Sequence, residues 1–149
     1  MTNLCVVSGD AEAVLGRHVE PASVAQVLVN YPEPPLWSGG DGESRLHLLT
    51  EPFLRLVLAA LAPRGSLTVL SDNLRYLQVL ARTLDAIQDF QSAEAVEGAE
   101  VHEAVGAVRV FKGLPGPECG HSVAASSYFA RLWDNGKHTR RHFLFLRKR

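Results

Sequence analysis

Cysteine is scarce. Cys5 and Cys119 are the only two in 149 residues, too few and too isolated for a disulfide framework, so an intracellular compartment is the simpler reading. No apolar run approaches the roughly 20 residues that cross a bilayer, and the N-terminus has no basic start followed by an apolar core. The expected setting is therefore the cytoplasm. An excess of either charge is also missing. Fifteen Lys and Arg stand against sixteen Asp and Glu, a formal charge of -1, so any nucleic-acid surface is a local patch and not a field of the whole molecule. No Gly-Lys-Ser/Thr ending follows the glycine-rich stretch Leu36 to Ser44, which reads as a surface loop and not as a phosphate cradle. His138 and His142 have helical ligand spacing, but no Cys or third His stands near to complete a metal site.

What is present is an ordinary apolar fraction, 46%, enough for one soluble domain with its own core. The charges it does carry are unevenly spread. Asp85, Asp89, Glu94, Glu97, Glu100 and Glu103 form an acidic stretch without Lys or Arg. Lys137, Arg140, Arg141, Arg147, Lys148 and Arg149 form a basic end without acids, which suggests a polar molecule with one cationic face.

Taken in order, Leu4 to Ser8 reads as a short strand, and Gly9-Asp10-Ala11 turns it into a helix through Glu12, Val14 and Leu15. Pro21 to Gln26 is a connection. Val27 to Tyr31 then reads as a strand buried on both faces, because its aliphatic residues do not alternate with polar ones. Pro32, Pro34 and Pro35 stop it and leave Asn30, Tyr31 and Glu33 on a stiff loop at its carboxyl end. Glu51 to Ala62 has helical apolar spacing with Pro52 in the first turn, and Pro63-Arg64-Gly65 ends it. Ser66 to Leu70 is a second buried strand, closed by Ser71-Asp72, and Asn73 to Ile87 is an amphipathic helix. Val105 to Phe111 reads as a strand, Gly113 to Gly120 as a loop, Ser127 to Trp133 as a helical turn or two, and His142 to Leu146 as a closing strand.

Strand and helix alternate through the first half, which implies right-handed crossovers and a parallel sheet. The last two strands, joined by a long excursion, fit an antiparallel pair added to its edge. Asp10, Glu33 and Asp72 each stand where a strand ends. Singly, such an acid is a helix cap; three at successive strand ends line one rim, where ligands bind in open α/β sheets. Trp37, Tyr128 and Trp133 could stack on bases or pack in the interior.

Asn3-Leu4 through Asp10-Ala11, then Asn30-Tyr31-Pro32-Glu33-Pro34, then Phe53 to Tyr76 resemble, in order and spacing, three blocks of the tRNA (guanine-N7)-methyltransferases. Ser127-Tyr128-Phe129, Gly136 and Phe143 to Phe145 are similar to the end of that family. The resemblance implies an α/β fold: a partial Rossmann-like class I methyltransferase sheet, mostly parallel, with an antiparallel C-terminal edge pair, in one domain over residues 1 to 149. It implies S-adenosylmethionine as methyl donor, held by Asp10, Ala11, Asn30 and Glu33, with Glu33 in the place of the catalytic acid. Asp72, Ser127, Tyr128 and Phe129 would face the target guanine of a tRNA, and Lys137, Arg140 and Arg141 would follow its phosphates.

The chain also departs from the family pattern. Glu33 stands for an Asp, Pro35 for an aromatic residue, and the Lys-Arg-Arg run expected next is absent; Tyr128 and Ala130 stand for a Lys and a Glu. The family places a strand and an acidic, glycine-rich loop, which wraps the methionine part of the donor, ahead of the block at Asn3. The resemblance thus implies a chain that starts at the third strand and leaves an open edge beside Leu4 to Ser8 for a partner or second copy to cover. Two functions follow, a methyltransferase and a methyltransferase-like module that binds RNA or protein without chemistry.

Overall fold

The computed structural model describes Asn3 and residues 5–35, 47–119 and 140–149. Among the described residues, three α-helices, α1 (Ala11–His18), α2 (Glu51–Ala60) and α3 (Leu74–Ala86), accompany six strands: β1 (Val24–Asn30), β2 (Leu61–Ser71), β3 (Phe90–Ser92), β4 (Glu100–Val105), β5 (Val108–Lys112) and β6 (His142–Lys148). The strands form one sheet in the order β1-β2-β6-β5-β4, with β3 paired to the far end of β6.

The sheet is less parallel than the alternation of elements predicts. Only β1 and β2 run parallel; β2–β6, β3–β6, β5–β6 and β4–β5 are all antiparallel. The expected antiparallel pair exists as β5 and β6, but β6 is hydrogen-bonded on both sides, and β4 is the outermost strand. Val105 to Phe111 is not one strand. Gly106 takes φ +60, where a residue without Cβ is at ease, and folds the segment into the β4–β5 hairpin. The Asp85 carboxylate fixes that turn by accepting from the Ala107 N–H at 2.7 Å. Glu100 to Ala104, the end of the acidic stretch, pairs because the turn brings it back beside β5.

Residues Cys5 to Ser8 are not a strand. They are exposed, Val6 by 85% and Val7 by 62%, and pair with no described strand. β1 is not buried on both faces either. It lies at the sheet edge, and Ala25, Leu28 and Asn30 are exposed. Its unbroken aliphatic run mimics a central strand, but no described strand pairs with its outer side.

All three helices lie on the same face of the sheet. Phe53, Leu54 and Val57 from α2, and Leu77, Leu80, Ala81 and Leu84 from α3, bury with Leu67, Val69, Val110, Leu144 and Leu146; Ala11 and Leu15 of α1 pack at the margin. The opposite face carries a smaller core, Leu70, Phe111, Cys119, Phe143 and Phe145, with Val96 and, among the described residues, nothing from α1, α2 or α3. Segments 93–99 and 114–119 cover it. They are tied across the sheet where the Gln26 side-chain amide donates to the Cys119 carbonyl.

Helix ends follow local chemistry. Asp10 caps α1, accepting from Ala13 N–H at 2.9 Å. Thr50 caps α2 ahead of Pro52, and Asn73 caps α3, accepting from Tyr76 N–H at 3.0 Å. The cap of α3 is thus Asn73 and not its neighbour Asp72, which leaves the Asp72 carboxylate out of that bond. Between α2 and the regular part of β2, the register steps from Val24↔Leu61 to Gln26↔Ser66 and Pro63-Arg64-Gly65 bulge out. A Cβ on Gly65 would lie 2.8 Å from Ala62 O and 3.1 Å from Val24 O, so only glycine fits there.

Candidate functional site

The parallel pair β1–β2 sets the rim. Asn30 lies opposite Leu70 in register, and Tyr31 N–H donates to Leu70 O at 2.8 Å. The carboxyl ends of the two strands are therefore level, and the Pro32-Glu33 loop leaves the sheet beside Ser71-Asp72. Tyr31 is held at φ +50, a left-handed conformation that costs a bulky residue of order 1–3 kcal/mol. Its N–H bond to β2 and its ring, packed at the margin of the smaller core, hold it there. The kink turns the chain out of the plane of the strand just before Glu33, which is exposed.

The rim continues past β2. Ser71 pairs with His142, and His142 with Lys112. Arg140 is exposed and Arg141 half-buried, at the same end of β6. His142 itself is 4% exposed, and burial, reinforced by His102, Lys112 and Arg140, holds its pKa below the usual imidazole value against the opposing pull of Glu103. Glu100 pairs with Lys112 at 3.2 Å on the outer flank. Across this end of the sheet the side chains thus run from Glu33 and Asp72 to Lys112, Arg140 and Arg141.

Below Asp72, the first turn of α3 buries Tyr76 completely. Its hydroxyl lies 3.2 Å from His47 Nδ1, with the rings edge to face at 5.8 Å. Burial raises the Tyr76 pKa to about 12 and lowers that of His47. The tyrosine therefore stays a neutral hydroxyl, and the pair anchors the segment leading into α2 to the start of α3.

The rim brings together Asn30, Glu33 and Asp72, with Arg140 and Arg141 further along it. Asp10 and Ala11 sit at the start of α1, and among the described residues no paired strand precedes them. Ser127, Tyr128, Phe129, Lys137, Trp37, Trp133, His138 and the Leu36 to Ser44 loop lie outside the described residues. The basic end is only partly free for phosphates. Lys148 Nζ donates to Leu58 O and Leu61 O at 2.9 and 2.8 Å, and the Arg147 guanidinium lies 5.5 Å from the Phe145 ring centroid. Among the described residues no three His, Cys, Asp or Glu side chains cluster to hold a metal.

Sequence reading missed His142, His102 and Lys112 as rim residues, and their only sequence signal was the strand pattern of His142 to Leu146. Two shallow grooves, of about 360 and 270 Å³, flank the β4–β5 turn at the opposite end of the sheet, lined by Asp85, Phe90, Arg109 and Arg149 among others. They are remote from the rim.

Two level strand ends, an aromatic-Pro-acid loop and an acid closing the second strand stand together at the carboxyl ends of a parallel pair, the place where ligands bind in open α/β sheets. The model of the tRNA (guanine-N7)-methyltransferase family, a methyltransferase family, matches residues 1–107. The chain belongs to this family. The match takes in α1, β1, α2, β2, α3, β3, β4 and the turn after it but not β5, and so every rim residue up to Asp72; Lys112, Arg140, Arg141 and His142 lie beyond it. A search of curated proteins finds no match. No helix among the described residues is long and apolar enough to cross a membrane.

Proposed function

We propose that this methyltransferase-family chain transfers a methyl group from S-adenosylmethionine to N7 of a guanine in tRNA. The observation that carries the reading is the level pairing of Asn30 with Leu70, which sets Glu33 and Asp72 at neighbouring strand ends.

The donor set at the start of α1 fits the adenine end of the methyl donor. One Asp10 oxygen caps α1 and the other is left for a ligand, and the N–H groups of the first helical turn have no partner within the helix. A carboxylate beside backbone N–H groups matches the amino donor and ring-nitrogen acceptor of adenine. When bound, the donor supplies an electrophilic methyl on a cationic sulfur. The chain's own part is to hold the nucleophile in line with it. Guanine N7 carries a free lone pair, so positioning does most of the work. Glu33 and Asp72 supply negative charge where the alkylated ring becomes positive, and Arg140 and Arg141 supply cations for the RNA backbone.

The test is incorporation of labelled methyl from S-adenosylmethionine into a tRNA transcript, with the position read by chain scission at 7-methylguanosine. The native chain should label one guanine, and Glu33→Ala should lower the rate about 100-fold or more, the scale of a lost positioned charge, without changing the circular dichroism spectrum. Unchanged turnover would remove Glu33 from the site. The departures at Pro35, Tyr128 and Ala130 favour a second reading, an RNA-binding module without chemistry. That reading requires tRNA binding with no label transferred.

A further inference from the structure

The Tyr76 hydroxyl fixes more than the position of His47. Tyr76 is wholly buried, and among the described residues its hydroxyl has one partner, His47 Nδ1 at 3.2 Å. A buried O–H needs an acceptor, and the Nδ1 lone pair is the acceptor offered. Tyr76 therefore donates, Nδ1 carries no proton, and a neutral His47 holds its proton on Nε2. Burial keeps the ring neutral near pH 7 by holding its pKa below the usual imidazole value.

The place of His47 in the fold gives that N–H a use. The chain leaves β1 at the rim and returns through α2, which runs directly into β2 at Leu61. The first turn of α2 therefore lies at the carboxyl end of β2, where Ser71-Asp72 lead into α3. His47 stands three residues before Thr50, the cap of α2, and is tied to Tyr76 in the first turn of α3. It is half-buried. The two nitrogens leave an imidazole in widely different directions, so the Nε2–H is turned away from Tyr76, and nothing among the described residues accepts from it.

We propose that His47 Nε2–H donates to the O6 carbonyl of the guanine held at the rim. The inference rests on the guanine methylation reading and adds the group that tells guanine from adenine. Glu33 and Asp72 are carboxylates and only accept, which suits the N1–H and amino donors of guanine. Beside N7, guanine offers an acceptor oxygen where adenine offers an amino donor. An N–H fixed there favours guanine and sets two donors against each other when adenine enters. Arg140 and Arg141 also donate, but as cations. A neutral imidazole reads O6 without setting positive charge against a ring that becomes cationic when N7 is methylated.

Nitrogen-15 NMR of the imidazoles tests it, with His47→Gln to assign the ring. At neutral pH the native chain should show a bare Nδ1 and a protonated Nε2 at His47. Tyr76→Phe, which removes only the hydroxyl, should let both tautomers appear. Guanosine 5′-monophosphate at millimolar concentration should shift the Nε2 resonance; adenosine 5′-monophosphate, with the same ribose and phosphate, should not. His47→Leu should lose about tenfold in affinity for the guanine nucleotide, the scale of one hydrogen bond, and nothing for the adenine nucleotide. His47→Gln, which keeps a side-chain N–H, should retain the preference. A proton on Nδ1 overturns the proposal, as does a ring that answers both nucleotides alike or neither. Should Tyr76→Phe fail to fold, the native spectrum and the His47 variants decide. No methyl transfer enters these measurements. A chain that binds without chemistry would still show the guanosine-specific shift, and one that labels tRNA while His47 ignores guanosine would refute this inference alone.

Discussion

His102 and His142 meet edge to face, ring centroids 4.9 Å apart, where the β4 register breaks between Val101 and Glu103. The extra residue of the bulge turns His102 toward β6. His142 is buried there with Nδ1 unpartnered, and Glu103 also has a buried oxygen, Oε1, without a partner. A proton on His142 would join Lys112, Arg140 and His102 on the same side, with Glu103 as the one opposing charge among the groups that act on it.

That arrangement makes stability fall on acidification. The folded-state pKa of His142 is below its unfolded value near 6.5, and His47 shifts the same way. Above pH 6.5 both states are neutral and the native fold is fully stable. Below it the unfolded chain takes up the protons first, so unfolding free energy drops with pH until the folded-state pKa is passed. Urea titrations at pH 7.5, 6.5 and 5.5 should show the midpoint moving down, and His142→Leu should flatten that slope. An equal slope in the variant would assign the effect elsewhere.

Lys148 holds the C-terminal end of α2. Its ammonium bridges Leu58 O and Leu61 O, carbonyls that the helix cannot satisfy itself. Lys148→Met keeps the apolar stem and removes both bonds. The expected loss is about 1–3 kcal/mol in urea unfolding, with unchanged methyl transfer.

Asn73 and Asp72 separate a structural role from a functional one. Asn73→Ala deletes the α3 cap and should cost about 1 kcal/mol. Asp72→Asn, outside that cap, should change stability by less than about 0.5 kcal/mol and lower tRNA methylation. The opposite pattern would make Asp72 a structural acid.

Gly65→Ala would push a methyl into three backbone carbonyls, those of Ala62, Val24 and Ala25. Backbone cannot swing aside as a side chain does, so a loss of roughly 1–3 kcal/mol is expected, with faster amide exchange at β1 than at β6. Uniform exchange across the sheet would place the damage elsewhere.

Helices and turns were legible in the residues because their causes are local. The apolar spacing of Phe53, Leu54 and Val57 and that of Leu77, Leu80 and Leu84 follow from a 3.6-residue period, and Asp10 caps its own helix. The edge position of β1 was not legible. Val27, Leu28 and Val29 have the composition of a central strand, and whether a neighbour lies on each side is decided by other parts of the chain. The β4–β5 hairpin hid for a similar reason: its turn depends on Asp85, 22 residues away along the chain.

The chain's own residues determined the alternation of elements, the proline-stopped loop at Glu33 and the likeness to a methyltransferase family, since each rests on neighbours in sequence. Tertiary structure alone decided that Asn30 and Leu70 lie level, that β6 enters between β2 and β5, and that His142 joins the rim. Those facts are pairings between distant segments, fixed by which apolar faces bury together, and no local stretch encodes its partner.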